Sequence, residues 1–229
     1  MKTMLDVDEL VFSPPELGCV LYLLGLPGGG SKIYDRSPYG IGGTITGAVW
    51  KLSEGGVWCL DFDGTDDYVN LGTDSRLAFT TAFTLKLWVN LDTVSQTACP
   101  YARGWSYSAK KGMRILVVTG GKWYLQLGDG SNRPAAVSDD NATVGWTHLV
   151  ATFSGGVGKL YRQGIVQAGT LSLTSIVYQD NDAYLGAGET PTDSNMDGKI
   201  ALVELSSNVW TDQQIADSFD REKYLFGVW

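Results

Sequence analysis

The sequence is poor in the residues that many catalytic and zinc sites need. Its 229 residues include a single histidine, His148, which excludes a metal site built from several histidines. The three cysteines, Cys19, Cys59 and Cys99, form no Cys-x-x-Cys pair. Because their number is odd, at least one thiol has no partner within the chain, and we expect buried free thiols.

Positive charge is also scarce. The chain has 17 basic and 25 acidic residues and a formal net charge of −8. Proteins that bind nucleic acids need a basic face, so this balance excludes a nucleic acid as the partner. The apolar run Leu17–Leu26 is too short to span a bilayer and follows acidic rather than basic residues. We therefore expect a buried strand there, no signal peptide and no membrane insertion.

Glycine and aromatic residues are abundant, which favours sheets connected by turns. The chain contains 29 glycines, and 11% of its residues are aromatic. Between Phe83 and Leu91 apolar residues occupy every second position, the period of a strand with one core face. Similar patterns predict strands at about 20–24, 44–50, 57–62, 67–71, 112–118, 122–127, 146–153, 158–163, 165–168, 182–187 and 199–205. Strands at this spacing predict an all-β fold, an antiparallel two-sheet sandwich.

One short helix is predicted near the C-terminal end. Thr211 followed by Gln214 is a capping-box pattern, and Ile215 and Phe219 lie four residues apart on one helical face. We expect that face to pack on the sandwich. The chain then divides into an N-terminal arm (1–16), the sandwich (17–220) and an apolar tail (221–229) that packs on the domain or on a neighbour.

Four aspartates lie within seven residues at the start of Asp61–Gly72, DFDGTDDYVNLG. An EF-hand calcium loop would have glycine at its sixth position and glutamate at its twelfth, where this stretch has Asp66 and Gly72. Apolar and acidic residues alternate before Gly64. We interpret the stretch as a polar corner between two strands.

Four segments, in this order, resemble the laminin G-like, concanavalin A-like jelly-roll family. They read CLDFDGTDDYVNLG, FTLKLWVNL, GWTHLVATFSGGVGKLYRQGIVQ and YLGAGE followed by MDGKIALVELSSNVWTDQQIADSF. The resemblance extends from about Gly18 to Phe219. It implies a jelly roll of two antiparallel sheets with six or seven strands each. The family is functionally diverse, and many members bind glycans or proteins.

The same resemblance implies a candidate metal site, because several members of the family hold a calcium ion. Here Asp63, Asp66 and Asp197 are the candidate ligands, and the ion would brace the structure. The sequence has Ala201 where the family often has a late aspartate. A calcium ion takes six to eight oxygen ligands, so this loss weakens the site unless backbone carbonyls compensate. Calcium is the one cofactor that the sequence leaves open.

Catalytic motifs are missing. Related glucanases carry their carboxyl groups on one strand as Glu-x-Asp-x-x-Glu, and the sequence has no such motif. The nearest candidate acid is Glu204. His148 matches a strand motif of the family, so we expect a structural hydrogen bond from its ring. Since a Gly-x-Ser-x-Gly nucleophile elbow is also missing, we predict that the chain is not an enzyme.

Four residues are candidates for ligand binding. Trp88 lies on the polar face of its strand, where its ring lines a sugar-binding surface unless a loop covers it. Arg103, Trp105 and Tyr107 fall in a stretch that resembles a turn, where exposure is easier. Such residues bind either a glycan or a protein, because Trp, Tyr and Arg are the usual anchors of interfaces.

Three functional hypotheses follow. The leading one is a non-catalytic interaction module on the surface of a larger assembly, a virion decoration or adhesin-type protein, with protein neighbours or glycans as partners. The apolar tail resembles the ending of laminin G-like proteins from phage-type particles, and we expect a homo-oligomeric or particle-bound protein. The alternative is a soluble carbohydrate-binding lectin assisted by calcium, and the weakest hypothesis is a glycoside hydrolase.

Overall fold

The computed structural model describes residues 18–24 and 30–229, and these residues form two eight-stranded antiparallel sheets packed face to face. The strands are β1 (Cys19–Leu23), β2 (Lys32–Ile33), β3 (Gly43–Thr46), β4 (Val49–Leu52), β5 (Trp58–Asp63), β6 (Tyr68–Gly72), β7 (Phe83–Leu91), β8 (Ala98–Ser106), β9 (Lys111–Val117), β10 (Lys122–Asp129), β11 (Ala135–Asn141), β12 (Gly145–Ser154), β13 (Val157–Arg162), β14 (Ile165–Ser172), β15 (Ala183–Leu185) and β16 (Asp197–Ser206). The predicted all-β sandwich is confirmed. The predicted N-terminal arm (1–16) lies outside the described residues.

The first sheet has the strand order β14–β13–β12–β7–β16–β5–β4, and β1 pairs with β16. The second has the order β11–β10–β9–β8–β15–β6–β3–β2. Consecutive strands of the chain often lie in different sheets, as in a jelly roll. The eight strands of each described sheet exceed the six or seven that the resemblance implied, because short strands such as β2 and β4 extend the edges.

The main core lies between the sheets and follows from alternation along the strands. In β7, Phe83, Leu85 and Leu87 point inward and are fully buried, as their spacing predicted. Trp123 of β10 also points inward, whereas its neighbour Tyr124 faces outward. All three cysteines are buried free thiols, which confirms that prediction.

Three of the described strands escaped prediction: the two-residue strand β2 is too short to show a pattern, and the residues of β8 and β11 do not alternate. β8 reads ACPYARGWS, in which Pro100, Arg103 and Gly104 interrupt any apolar pattern, and all nine of its residues are buried. The expected turn around Arg103 and Trp105 is therefore wrong. β11 reads AAVSDDN and is mostly polar. The single strand expected at 44–50 is two strands, β3 and β4, separated by a turn at Gly47.

The C-terminal helix covers the outer face of the first sheet. It is α1 (Asp212–Glu222), and the predicted capping box between Thr211 and Gln214 is present. A 3₁₀ turn at Lys223–Phe226 follows it, and another lies at Ser75–Leu77. Ile215 is fully buried on the sheet, as predicted. Because α1 continues to Glu222, the helix crosses the boundary predicted between residues 220 and 221.

The apolar run near the start of the described chain forms β1 (Cys19–Leu23), which agrees with the strand predicted at about 20–24. All five residues of that strand are buried. Within residues 18–24 and 30–229, none of the helices combines the length and apolar character needed to cross a lipid bilayer.

Candidate functional site

The outer face of the second sheet carries an open, mostly polar groove. Strands β3 and β6 pair so that Thr44 lies opposite Asn70 and Thr46 opposite Tyr68. The inward neighbours on these strands, Ile45 and Val69, belong to the core. Since side chains alternate, the polar and aromatic side chains of both strands collect on the outside.

The groove has a volume of about 560 Å³, and its lining includes Thr44, Thr46, Tyr68, Asn70 and Asp182. Asn70 donates a hydrogen bond from Nδ2 to Asp182 Oδ2 over 2.7 Å, and Asn70 Oδ1 accepts the backbone N–H of Gly72. These contacts hold both polar side chains in place. The groove is therefore largely preformed.

Tyr184 of β15 supports the groove from beside Tyr68. The two rings meet edge to face, with centroids 5.9 Å apart. The Tyr184 hydroxyl donates to Asp182 Oδ2 over 3.4 Å. Burial, and then the charge of Asp182, raise the pKa of Tyr184, so its phenol stays protonated and acts as a donor. The half-buried ring of Tyr68 keeps part of its surface free.

This arrangement has the elements of a saccharide site. An aromatic ring stacks against the apolar face of a sugar, while fixed amide and carboxylate groups bond its hydroxyls. Among the described lining residues Asp182 is the single acid, and hydrolysis of a glycosidic bond normally uses two.

Sequence reasoning missed this groove. Its residues come from stretches around positions 44, 70 and 182, and each stretch alone reads as an ordinary strand. Tyr107, a ligand-binding candidate named from the sequence, is not part of the groove lining and lies just beyond the end of β8. The one local signal was the alternation of polar residues on β6, which shows that one face of this strand points outward but not what lies opposite.

Trp105 is buried in the middle of the same outer face, which corrects the expectation that it is accessible. The Arg114 guanidinium lies 4.3 Å from the centre of its ring. Asp193, from the loop between β15 and β16, lies 4.0 Å from Arg114 Nη1, and the neighbouring Ser194 accepts a hydrogen bond from the backbone of Cys99. This loop covers the centre of the face and shields Trp105 from any ligand.

Arg103 is also buried, and its role is structural. Its guanidinium donates to the backbone oxygens of Asn181 and Thr73, which tie β8 to the chain before β15 and after β6. A ligand has no access to these donors. Arg103 therefore does not belong to the ligand-binding set that the sequence predicted.

Tyr107 is the exposed member of the predicted ligand set, with 59% of its surface accessible. The Arg133 guanidinium stacks on its ring at 3.6 Å, and Glu189 accepts its backbone N–H. Arg133 also lines a shallow cavity of about 1030 Å³ between the hairpin tips at this end of the sandwich. Ligand binding by Tyr107 stays a prediction.

Trp88 is fully buried under the C-terminal segment, so it cannot line a sugar site in this structure. Phe226 stacks on its ring with centroids 4.3 Å apart, and Phe219 stacks at 6.0 Å. Its indole N–H donates to Glu222. A helix and the turn that follows it cover the ring, where the sequence suggested a loop.

His148 lies beside Trp88, with ring centroids 5.1 Å apart, and is also buried. Neither ring nitrogen has a hydrogen-bond partner among the described residues, so the expected structural hydrogen bond from the ring is wrong. Burial lowers the pKa of His148 to about 3, which keeps the ring neutral. It acts as an aromatic packing residue.

A buried ion pair lies next to these rings. Lys86 Nζ is 2.7 Å from Glu222 and 3.5 Å from Glu204. Burial is the largest single effect and raises the pKa of Glu222, but the Lys86 charge and the hydrogen bonds from Lys86 and Trp88 together contribute to a net lowering of the pKa of that carboxyl. Glu204, the nearest candidate for a catalytic acid, is thus part of a buried structural pair.

The acidic corner between β5 and β6 is the candidate metal centre. One carboxylate oxygen from each of Asp63, Asp66 and Asp67 lies within 4.8 Å of the other two. The structure thus brings together two predicted ligands and adds Asp67, which sequence reasoning omitted. Gly64 turns the chain here with φ of +78°, a conformation that favours glycine.

Asp197 pairs with Asp63 across β16 and β5 but does not join that acidic group. Burial, and then Asp92 and Asp61, raise the pKa of Asp197. Burial and the charges of Asp63 and Asp66 also raise the pKa of Asp67, although a hydrogen bond from the Asp63 backbone opposes this. Such mutual repulsion is relieved by a cation, and carboxylate oxygens are ligands that calcium prefers.

Comparison with protein families found a match to a known superfamily. The profile of the concanavalin A-like lectin/glucanases superfamily matches residues 63–216, which is more than half of the chain. The match includes the acidic corner, most of the second sheet and the start of α1. A search among curated proteins found no match.

Several solved structures share the fold. The Trypanosoma rangeli sialidase, solved as a covalent intermediate with 2,3-difluorosialic acid, is 18% identical with a TM-score of 0.71, over 93% of this chain and 34% of that one. The binding domain of Paraclostridial Mosquitocidal Protein 1 is 13% identical with a TM-score of 0.70, over 92% and 55%. Domain 4 of a GH43 extracellular arabinanase from Geobacillus stearothermophilus, in complex with arabinotriose, is 18% identical with a TM-score of 0.62, over 80% and 88%.

These likenesses concern the fold. The chain spans about a third of the sialidase and about half of the toxin chains that it matches. At identities below a fifth, the side chains of a binding site are free to differ while the sandwich is kept.

Proposed function

The chain belongs to the concanavalin A-like lectin/glucanase superfamily, and on this premise we propose that it is a non-catalytic module that binds carbohydrate. The observation that carries the proposal is the open groove on the outer face of the second sheet. There the ring of Tyr68 lies beside the fixed polar groups of Asn70 and Asp182. A sugar would stack on the ring and bond these two side chains.

Two of the structural neighbours support the proposal at the level of the fold. The arabinanase domain was solved with arabinotriose, and another neighbour is the receptor binding domain of botulinum neurotoxin D. Both are parts of larger proteins that use this fold for binding. The groove itself is the argument from this chain.

Binding to immobilised oligosaccharides, neutral and acidic, tests the proposal. We expect wild-type protein to bind part of the panel and Tyr68→Ala to weaken that binding about 10-fold or more, because it removes the stacking surface. Tyr34→Ala is the matched control, since Tyr34 is 56% exposed and lies outside the groove lining. Failure of the wild type to bind any member, or equal binding by Tyr68→Ala, contradicts the proposal.

A role in a larger assembly is the second candidate, favoured by the free edge of the first sheet. β4 pairs with β5 alone among the described strands, and it exposes Val49 and Leu52 by more than half of their surface. An unpaired edge with apolar residues is suited to contact with another chain. On this proposal the protein is a virion decoration or adhesin-type module.

The molecular mass in solution tests this second candidate. We expect wild-type protein to self-associate at high concentration and Leu52→Asp to remain monomeric in sedimentation experiments. Val144→Asp places the same charge on a similarly exposed aliphatic residue before β12, away from this edge, and is the control. A wild type that stays monomeric at every concentration, and that recruits no neighbour, contradicts the assembly role.

A further inference from the structure

We propose that Asp182 makes the groove selective for uncharged saccharides and is its main acceptor for sugar hydroxyls. This inference rests on the proposed carbohydrate-binding function and names the ligand class. It follows from the position, partners and charge of one side chain.

The hydrogen bonds of Asp182 leave one oxygen free for a ligand. Oδ2 accepts from Asn70 and from Tyr184, at 2.7 and 3.4 Å. Oδ1 accepts no hydrogen bond from the described residues, although the side chain lines the groove. Two donors orient the carboxylate, and its remaining oxygen is available to a hydroxyl.

The hydrogen bond between Asn70 and Asp182 Oδ2 also decides which polar groups of the groove remain available to a ligand. Asn70 donates one amide hydrogen to Asp182, and its Oδ1 accepts a hydrogen bond from the backbone N–H of Gly72. The other amide hydrogen remains available to a sugar oxygen. The groove therefore offers a charged acceptor and a neutral donor side by side, which suits two adjacent hydroxyls of one sugar ring.

The charge of Asp182 disfavours anionic sugars. Among the described residues, no lysine or arginine nitrogen lies within 4 Å of its carboxylate. A carboxylate or sulfate on the ligand would lie close to this uncompensated negative charge. The two like charges would repel each other, and both anionic groups would lose part of their hydration, so binding would be weaker. Hydroxyl groups meet no such repulsion, and a hydrogen bond to a charged acceptor is stronger than one to a neutral acceptor.

One cation lies near the rim and represents the competing possibility. Lys32 donates to Thr44 Oγ1 over 2.7 Å, but it is exposed and is not part of the groove lining. Its charge is screened by solvent, whereas Asp182 is partly shielded from water. If an anionic sugar were the ligand, Lys32 would be its partner.

The experiment measures affinities for matched neutral and acidic oligosaccharides, such as α-1,4-linked galactotriose and trigalacturonic acid, which share ring and linkage and differ in the carboxylates, within a wider panel. Wild-type protein is compared with Asp182→Asn, Lys32→Gln and the charge-matched control Asp180→Asn. Asp180 is exposed and outside the lining. Thermal unfolding of each variant checks that it folds.

We expect the wild type to bind neutral members and to bind the acidic ones at least 10-fold more weakly. Asp182→Asn should weaken the binding of neutral oligosaccharides about 10-fold, because a charged acceptor is lost. It should also reduce the difference in affinity between neutral and acidic oligosaccharides, because the negative charge that repels the acidic ones is removed. Lys32→Gln and Asp180→Asn should leave neutral binding unchanged.

Three results overturn the inference. If acidic members bind the wild type as tightly as neutral ones, and Tyr68→Ala weakens both, the groove binds sugars but lacks this selectivity. If Lys32→Gln abolishes binding while Asp182→Asn retains it, the ligand is anionic. If no member of the panel binds the wild type, the carbohydrate-binding function itself fails, and this inference with it.

Discussion

At the scale of single residues, His148 lies in an environment that is unusual for a histidine. Histidine usually titrates near neutral pH, yet this ring lies among Trp88 and Phe219 with both nitrogens unpaired in the described structure. The nearest charged groups are Glu222 and Lys86, whose effects on its protonation oppose each other. Burial dominates, so the folded protein keeps the ring neutral.

This environment predicts a dependence of stability on pH. The pKa of His148 is about 3 in the folded protein and about 6.5 when unfolded, so the unfolded state binds the extra proton between these values. The free energy of unfolding therefore falls as the pH drops below 6.5, by about 2 kcal/mol at pH 5. His148→Phe should remove this loss, which urea unfolding at pH 7 and pH 5 measures.

Two features isolate the effect. His148 is the single histidine, and Glu222, whose pKa is lowered, loses its contribution only below pH 4.5. Trp146→Phe is the control, because it alters an aromatic neighbour of Phe226 and leaves every titratable group in place. Equal losses at pH 5 in the wild type and in His148→Phe would show that the ring is protonated inside the fold.

The acidic corner leads to a second prediction. We propose that calcium binds Asp63, Asp66 and Asp67, whose oxygens lie within 4.8 Å of one another, and braces the turn between β5 and β6. At a calcium concentration 100 times the dissociation constant, the folded state gains about 2.7 kcal/mol. The midpoint of thermal unfolding should rise with calcium and fall when a chelator is added.

Asp66→Asn should abolish the calcium-dependent shift, since it removes a carboxylate from the cluster. Asp140→Asn changes the net charge equally at an exposed position of β11 and should respond to calcium like the wild type. If neither calcium nor chelator changes the midpoint of thermal unfolding of the wild-type protein, the calcium proposal is wrong and the acidic corner is only a polar turn.

Among the secondary-structure elements, β16 shows how an irregularity builds the outer face of the first sheet. Strict alternation would place Ala201 and Glu204 on opposite faces. A bulge between them, with Leu202 at φ +47°, lets Ala201 pair with Trp88 and Glu204 with Lys86. Both therefore lie under the C-terminal segment, and Glu204 reaches the buried lysine.

The docking of α1 depends on that lysine. Glu222, the last residue of the helix, binds Lys86 and the indole N–H of Trp88 in the buried layer. We expect Glu222→Ala to lower the free energy of unfolding by about 3 kcal/mol, because breaking a buried pair leaves the partner groups uncompensated. Denaturant titration at neutral pH measures this loss.

Asp220→Asn provides the comparison within the same helix. Asp220 pairs with Lys223 over 2.9 Å near the surface, where ion pairs contribute little. Its loss should have no measurable effect on unfolding. Similar small changes in the two variants would mean that α1 is held by Ile215 and the aromatic stack rather than by its buried ion pair.

For the domain as a unit, the proposed lack of catalysis follows from where the carboxyl groups lie. Retaining enzymes place two of them about 5 Å apart around the scissile bond, and inverting enzymes about 6.5–9.5 Å apart. Here Asp182 is the single acid among the described groove lining, while Glu204 and Glu222 are buried under α1. No pair faces a substrate in the groove.

We therefore expect no hydrolysis of the oligosaccharides that bind best. Prolonged incubation should release no more reducing ends than a sample without protein, as measured by anion-exchange chromatography. Asp182→Asn should behave identically. Release by the wild type that Asp182→Asn abolishes would make Asp182 a catalytic residue and would identify the chain as a glycosidase.

Much of the fold was accessible from the sequence because its signals are local. Alternation in Phe83–Leu91 predicted a strand with one core face, and Thr211 with Gln214 predicted the start of α1. Both depend on neighbouring residues and on the fixed periods of strand and helix. The same reasoning missed β8, whose residues are buried on both sides and so do not alternate.

The surfaces available to a ligand depend instead on contacts between distant parts of the chain. Trp88 has the sequence context of an exposed aromatic residue, but Glu222 and Phe226, more than 130 residues later, cover it. Tyr68 and Asp182 meet in one groove only because β6 pairs with β15. Local alternation decides which side chains leave the core, whereas sheet pairing and the docking of α1 decide which of them meet the solvent.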